Sequence, residues 1–145
     1  MKTRPKHLFY LRLFAGLIFL VFGVLHIIHP ENFRNILLAS KTPFVDFNVV
    51  FAPLVEVVVG ILFLIGLYTR IAATLGCVTM AVAFGATYII IHLASGDLPT
   101  GMTEKPFSPP LFIPVIIFLL CLYLLIMGSG PWGLDRWNKK NKSKK

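Results

Sequence analysis

The chain has 145 residues, 57% of them apolar and only 14% charged, with a formal net charge of +8. That composition excludes a disordered chain and speaks against an ordinary soluble enzyme, in which about 25% of residues are charged. It also speaks against a nucleic-acid binder. Lys2, Arg4 and Lys6 precede the apolar body, and Arg136, Lys139, Lys140, Lys142, Lys144 and Lys145 follow it, so most of the positive charge lies in two tails rather than in a patch on a folded domain.

Four apolar runs stand between those tails, and a helix that crosses a bilayer needs about 20 such residues. The first run, 8–28, has Arg12 near its start and His26 near its end. It is long for the apolar region of a signal peptide, and Ile27, Ile28 and His29 stand where a small-residue cleavage site would be needed, so it reads as a span. The connection 29–48 holds Pro30, Arg34, Lys41, Pro43 and Asp46. Its stretch 32–39 predicts a short interfacial helix with Phe33, Ile36 and Leu37 toward lipid. The second run, 49–68, has Glu56 as its only charge. Thr69 and Arg70 nearly alone separate it from the third, 71–93, which predicts a tight antiparallel hairpin. The loop 94–110 holds Pro99, Pro106, Pro109 and Pro110 and should be irregular. The fourth run, 111–127, is shorter and contains Pro114. Continuous apolar runs, rather than alternating ones, argue against β structure. The expected fold is all-α: one membrane domain over 1–145, a four-helix transmembrane bundle with a basic tail at 136–145.

Charge gives the orientation. With four spans, both termini and the turn at Arg70 share one side, which collects Lys2, Arg4, Lys6, Arg12, Arg70 and the six basic residues of the tail. The other side has Arg34, Lys41 and Lys105. The imbalance of 11 to 3 places both termini in the cytoplasm, with the tail as an anchor on anionic lipid.

Helical spacing of 100° per residue collects small and polar residues on one stripe per helix, the mark of a bundle interior. The stripes are Arg12, Gly16, Gly23 and His26; Pro53, Glu56, Gly60 and Leu67; Arg70, Thr74, Cys77, Ala81, Gly85, Tyr88 and His92; and Pro114, Phe118, Cys121, Leu125 and Gly128. Depth then sorts the polar groups. His26, Glu56, Tyr88 and His92 fall in the outer half of the bilayer, and Arg12 and Arg70 at the cytoplasmic ends. An intramembrane carboxylate is paired, protonated or functional. Glu56 is therefore either a proton-handling group beside a ligand that His26, Tyr88 and His92 help to bind, or one half of a helix-locking hydrogen bond to His26 or Tyr88. Arg12 and Arg70 read as structural anchors that could also make an ion pair or a headgroup contact, and Gly60 as a point of close helix approach. No metal or haem is expected, since His26, Glu56 and His92 match no ligand spacing. Cys77 and Cys121 lack a C-x-x-C arrangement and read as buried thiols.

These residues resemble the DoxX family, whose pattern overlaps with that of the MauE-like redox-associated membrane proteins. The likeness rests on Arg12, Gly16, Phe22 and Gly23 in the first helix, on Pro30 and Phe33, and on PLVEVVVG at 53–60 with Glu56 at the family's intramembrane glutamate. It extends to GLYTRIAA at 66–73 and GSGPWGLD at 128–135. His26 departs from the pattern, standing where many members have a lysine. The resemblance implies a bacterial cytoplasmic-membrane protein working beside redox enzymes, with a quinone as candidate ligand, and lipids and other membrane subunits as partners. The leading expectation is an accessory subunit of a quinone-linked complex with Glu56 carrying the proton. The alternatives are a non-catalytic assembly subunit and a small transporter-like subunit.

Overall fold

The computed structural model describes residues 6–130 and 133–135, and all of their regular structure is helical. The elements in order are α1 (His7–Ile28), α2 (Pro30–Ala39), α3 (Val45–Ile65), α4 (Thr69–His92), a single 3-10 turn (Ser95–Asp97) and α5 (Phe112–Met127). Helices α1, α3 and α4 have 22, 21 and 24 residues and are long and apolar enough to cross a membrane. Helix α5 has 16, which at 1.5 Å per residue gives roughly 24 Å against ~30 Å of hydrocarbon. Its Pro114 lies in the first turn, where the missing N–H breaks no intrahelical bond.

The second apolar helix is shifted relative to the run that predicts it, covering 45–65 instead of 49–68. Asp46 and Asn48, too polar to count in an apolar run, belong to its first turn, where the free N–H groups favour a carboxylate. At the other end Gly66, at φ +68°, takes the left-handed conformation that ends the helix, and the N–H groups of Gly66 and Leu67 both return to the Leu62 carbonyl. The hairpin turn is therefore Gly66 to Tyr68, and Thr69 and Arg70 already belong to α4.

The most extensive contacts are α1 with α3 and α4 with α5, with α3 against α4 joining the two pairs. Glycines set the first contact. A Cβ at Gly60 would stand 2.7 Å from the Leu20 backbone N and 2.9 Å from the Gly16 carbonyl oxygen. A Cβ at Gly23 would stand 2.9 Å from the Val57 N. The two backbones meet at these points, as small residues permit in membrane bundles. Leu8, Phe19, Val59, Phe63, Ala73 and Cys121 are among the buried side chains between the helices.

Two faces differ from the stripes drawn from polarity. On α4 the buried residues are Thr69, Ala72, Ala73, Gly76, Met80, Thr87 and Ile90, whereas Arg70, Thr74, Ala81, Tyr88 and His92 are exposed. Small residues decide this face, because Gly76 lets Cys121 of α5 come close; a Cβ there would be 2.9 Å from its Sγ. The exposed polar groups need no interior, since Thr74, Thr79 and His92 each bond a carbonyl one turn back, to Arg70, Leu75 and Tyr88. On α5 the buried line is Pro114, Ile117, Cys121 and Leu124, with Phe118 and Leu125 only half-buried.

The helix predicted at 32–39 forms as α2, but its apolar face turns the other way. Phe33 and Leu37 are buried against the bundle, and Ile36 and Ala39 pack with Ile90 and Leu93 at the end of α4. The unfilled edge between the ends of α1, α3 and α4 offers these side chains protein neighbours in place of lipid. Lys41 and Phe44, at φ 54° and 53°, then turn the chain into α3, each in a left-handed conformation that costs a non-glycine residue about 1–2 kcal/mol.

Candidate functional site

His26 lies in the last turn of α1 and Glu56 in the middle of α3. Gly23 brings them within reach of each other: a Cβ at that position would lie 3.0 Å from the Glu56 Cβ. His26 Nδ1 stands 2.9 Å from Glu56 Oε2, with the side chains 23% and 8% exposed. The carboxylate is thus almost enclosed, and the imidazole is its partner at the rim. Phe33 of α2 lies flat on the imidazole, with ring centroids 4.2 Å apart and planes 20° from parallel. Phe22, one turn earlier on α1, stands 6.2 Å from the same ring.

An imidazole whose Nδ1–H donates to an ionised Glu56 presents a bare Nε2, which accepts a hydrogen bond. When the imidazole takes up a proton, Nε2 becomes a donor, and the adjacent carboxylate balances the new charge. The arrangement can therefore accept or deliver one proton at Nε2, with the carboxylate balancing the imidazolium.

Tyr88 and His92 are not joined to this pair by any hydrogen bond or ring contact. They form their own exposed stripe along α4 with Phe84, the Tyr88 and His92 rings 4.4 Å apart and His92 Nδ1 bonded to the Tyr88 carbonyl at 2.9 Å. Cys77 and Cys121 are free thiols, Cys121 fully buried. Among the described residues no group of three His, Cys, Asp or Glu side chains could hold a metal ion.

A second cluster forms at the opposite end of the bundle. Arg12 is 1% exposed, and its Nη1 donates to the Ser129 carbonyl at 2.6 Å. Its guanidinium presses on Gly66 and Gly133, where a Cβ would come within 2.3 Å and 2.7 Å of Nη1. Asp135 accepts from the Tyr68 and Thr69 N–H groups at 2.7 Å and 3.0 Å, and its own N–H donates to the Gly66 carbonyl at 3.1 Å. Helix α4 has no capping side chain of its own, so a residue 66 positions later supplies one. Arg70 is exposed and reaches the Ile126 carbonyl at 3.3 Å. Arg12 thus holds the segment after α5, and Arg70 the last turn of α5, against the α3–α4 turn.

Sequence reasoning places Phe33 toward lipid and gives Asp135 only as the end of a glycine-rich stretch, and assigns neither to these sites. Nothing in the spacing signals Phe33, because a helix break at His29 separates it from His26. Asp135 carries a signal, as the acid closing the glycine-rich stretch 128–135, but its partner turn lies too far along the chain for any local pattern to join them.

A model of the DoxX family matches residues 7–93, which span α1 to α4 and include Arg12, His26, Phe33 and Glu56. An uncharacterized membrane protein of Mycobacterium tuberculosis is 30% identical over 138 residues, covering 91% of this chain and 81% of that protein. An uncharacterized protein of Haemophilus influenzae is 28% identical over 134 residues, covering 92% of each. No solved structure gives a significant match.

Proposed function

The chain belongs to the DoxX family of membrane proteins, and from that premise we propose that it is an accessory subunit of a quinone-linked redox complex. In this reading it crosses the bacterial cytoplasmic membrane four times. The observation that carries the proposal is the His26–Glu56 hydrogen bond of 2.9 Å, with an almost enclosed carboxylate behind a partly open imidazole. A quinone head needs an apolar slot and one or two groups that bond its oxygens. Phe22 and Phe33 would supply apolar walls, and Nε2 of His26 the polar edge.

A bound quinone would supply two-electron, two-proton chemistry, with the electrons passing to a carrier in a partner subunit. The residues of this chain do the proton work. Neutral His26 accepts from a hydroxyl at Nε2, protonated His26 donates to a carbonyl at the same atom, and Glu56 fixes the ring and balances its charge. The fourth crossing is α5, which packs along α4 and buries Ile117, Cys121 and Leu124. The basic excess on the side of the termini supports a cytoplasmic placement for both.

The test is extraction of quinone from the purified protein. Wild type should retain quinone, and Glu56→Gln should lose it while keeping its fold. A second reading, a non-catalytic assembly subunit, is favoured by one observation: His26 and Glu56 already satisfy each other, as a helix-locking pair would. Co-purification of partner subunits unchanged in Glu56→Gln, with no quinone in either preparation, would establish that reading instead.

A further inference from the structure

Phe33 is the nearer of the two phenylalanine rings beside His26, yet it bears no polar atom. It is 8% exposed, it comes from a different helix, and it lies almost parallel to the imidazole at a centroid distance of 4.2 Å. A ring in this position covers the face of His26 while leaving its Nδ1 to Glu56. Its neighbour on α2, Arg34, pairs with Asp46 in the first turn of α3 at 2.5 Å, which holds this part of α2 over the end of α3. On the same helix, Leu37 is also buried but has no part in the His26 stack.

We propose that the flat space on His26 is a ligand subsite for a planar aromatic or quinoid ring, and that Phe33 fills it when no ligand is bound. The inference rests on the proposed function in placing a ligand at the pair, and it adds what that reading lacks, the shape of the group bound and the residue it displaces. The Phe33 ring and the incoming ring compete for one face of one imidazole. The ligand must therefore be flat. The site opens in this proposal when the Phe33 side chain moves off the imidazole, while α2 stays packed through Ile36 and Ala39 on Ile90 and Leu93.

The competition has a sign that a merely structural Phe33 would not give. Phe33→Leu keeps apolar volume but removes the flat ring, so a planar ligand should bind tighter in the variant, not weaker. Occupancy is read by protection of Glu56 from a hydrophobic carbodiimide in membranes, with decylubiquinone and 2-naphthol as probes. In Phe33→Leu the unprotected labelling should rise, and half-protection should need ~three- to tenfold less probe, the range of a lost aromatic pair. Leu37→Ala, which loosens α2 without uncovering His26, should leave both quantities near wild type. Equal changes in Leu37→Ala, or weaker protection in Phe33→Leu, would overturn the subsite. Protection by 2-naphthol but not by decylubiquinone would keep the subsite and remove the quinone reading. Protection by neither probe in either protein would overturn both.

Discussion

Glu56 and Asp135 are two carboxylates with opposite duties, and single substitutions separate them. Breaking a buried pair costs about 3–5 kcal/mol, and the 23% exposure of His26 makes this pair less than fully buried, which lowers that figure here. Glu56→Ala should accordingly lower detergent-solubilised stability by about 2–3 kcal/mol. Glu56→Gln should stay near wild type in thermal unfolding and lose quinone-linked activity of the complex, because the amide keeps the hydrogen bond and cannot balance the charge of a protonated His26. Wild-type activity in Glu56→Gln would leave this residue a packing role only. Asp135→Ala should cost about 1 kcal/mol, the usual worth of a helix cap, with no effect on ligand retention, as followed by thermal melts and quinone extraction in parallel. Of these residues Glu56 and His26 are plain in the sequence, since an acid and a base inside apolar runs have few places to go. Asp135 and Phe33 are not, because one acts across 66 residues and the other across a helix break.

At the scale of the element, the helices themselves are legible and their rotations are only partly so. Apolar length finds α1, α3, α4 and α5, and glycine position gives the α1–α3 contact, where Gly16, Gly23 and Gly60 all sit on the buried side as the stripe requires. The rule fails on α4, because threonine and histidine can spend their polarity on their own helix and face outward. It fails again on α2, where amphipathicity marks one buried face but cannot tell protein from lipid. Gly60 carries the sharpest prediction at this scale. A methyl group there would stand 2.7 Å from the Leu20 N, a backbone atom that cannot swing aside. Gly60→Ala should destabilise the protein by about 1–3 kcal/mol, whereas Gly85→Ala, with open space around it, should be neutral in the same melting assay or slightly stabilising.

For the molecule as a whole, the proposed orientation is open to direct labelling. In a background with Cys77 and Cys121 replaced by Ala, Thr100→Cys should react with an impermeant thiol reagent added to intact cells. Tyr68→Cys, at the exposed α3–α4 turn, should react only after the membrane is opened. The reverse pattern would invert the chain and move the His26–Glu56 pair to the inner leaflet. The basic tail that gives much of the charge asymmetry, 136–145, lies outside the described residues. The family match ends at residue 93, just past the end of α4, yet the Arg12 cluster draws on Ser129, Gly133 and Asp135 beyond it.

That cluster also imposes a schedule on the making of the protein. The turn between α3 and α4 is synthesised early, but the carboxylate that caps it emerges 66 residues later. Until then the first N–H groups of α4 and the Arg12 guanidinium lack the partners they have in the finished fold. The helices can enter the membrane one after another, but the bundle closes only when the last part of the chain returns to the middle. A contact across 66 residues is slow to find by chance, and the bond of Arg12 to the Ser129 carbonyl, across 117, is slower still. Nascent chains stalled before residue 128 should keep residues 66–70 open to protease, and chains stalled after Asp135 has left the ribosome should protect them.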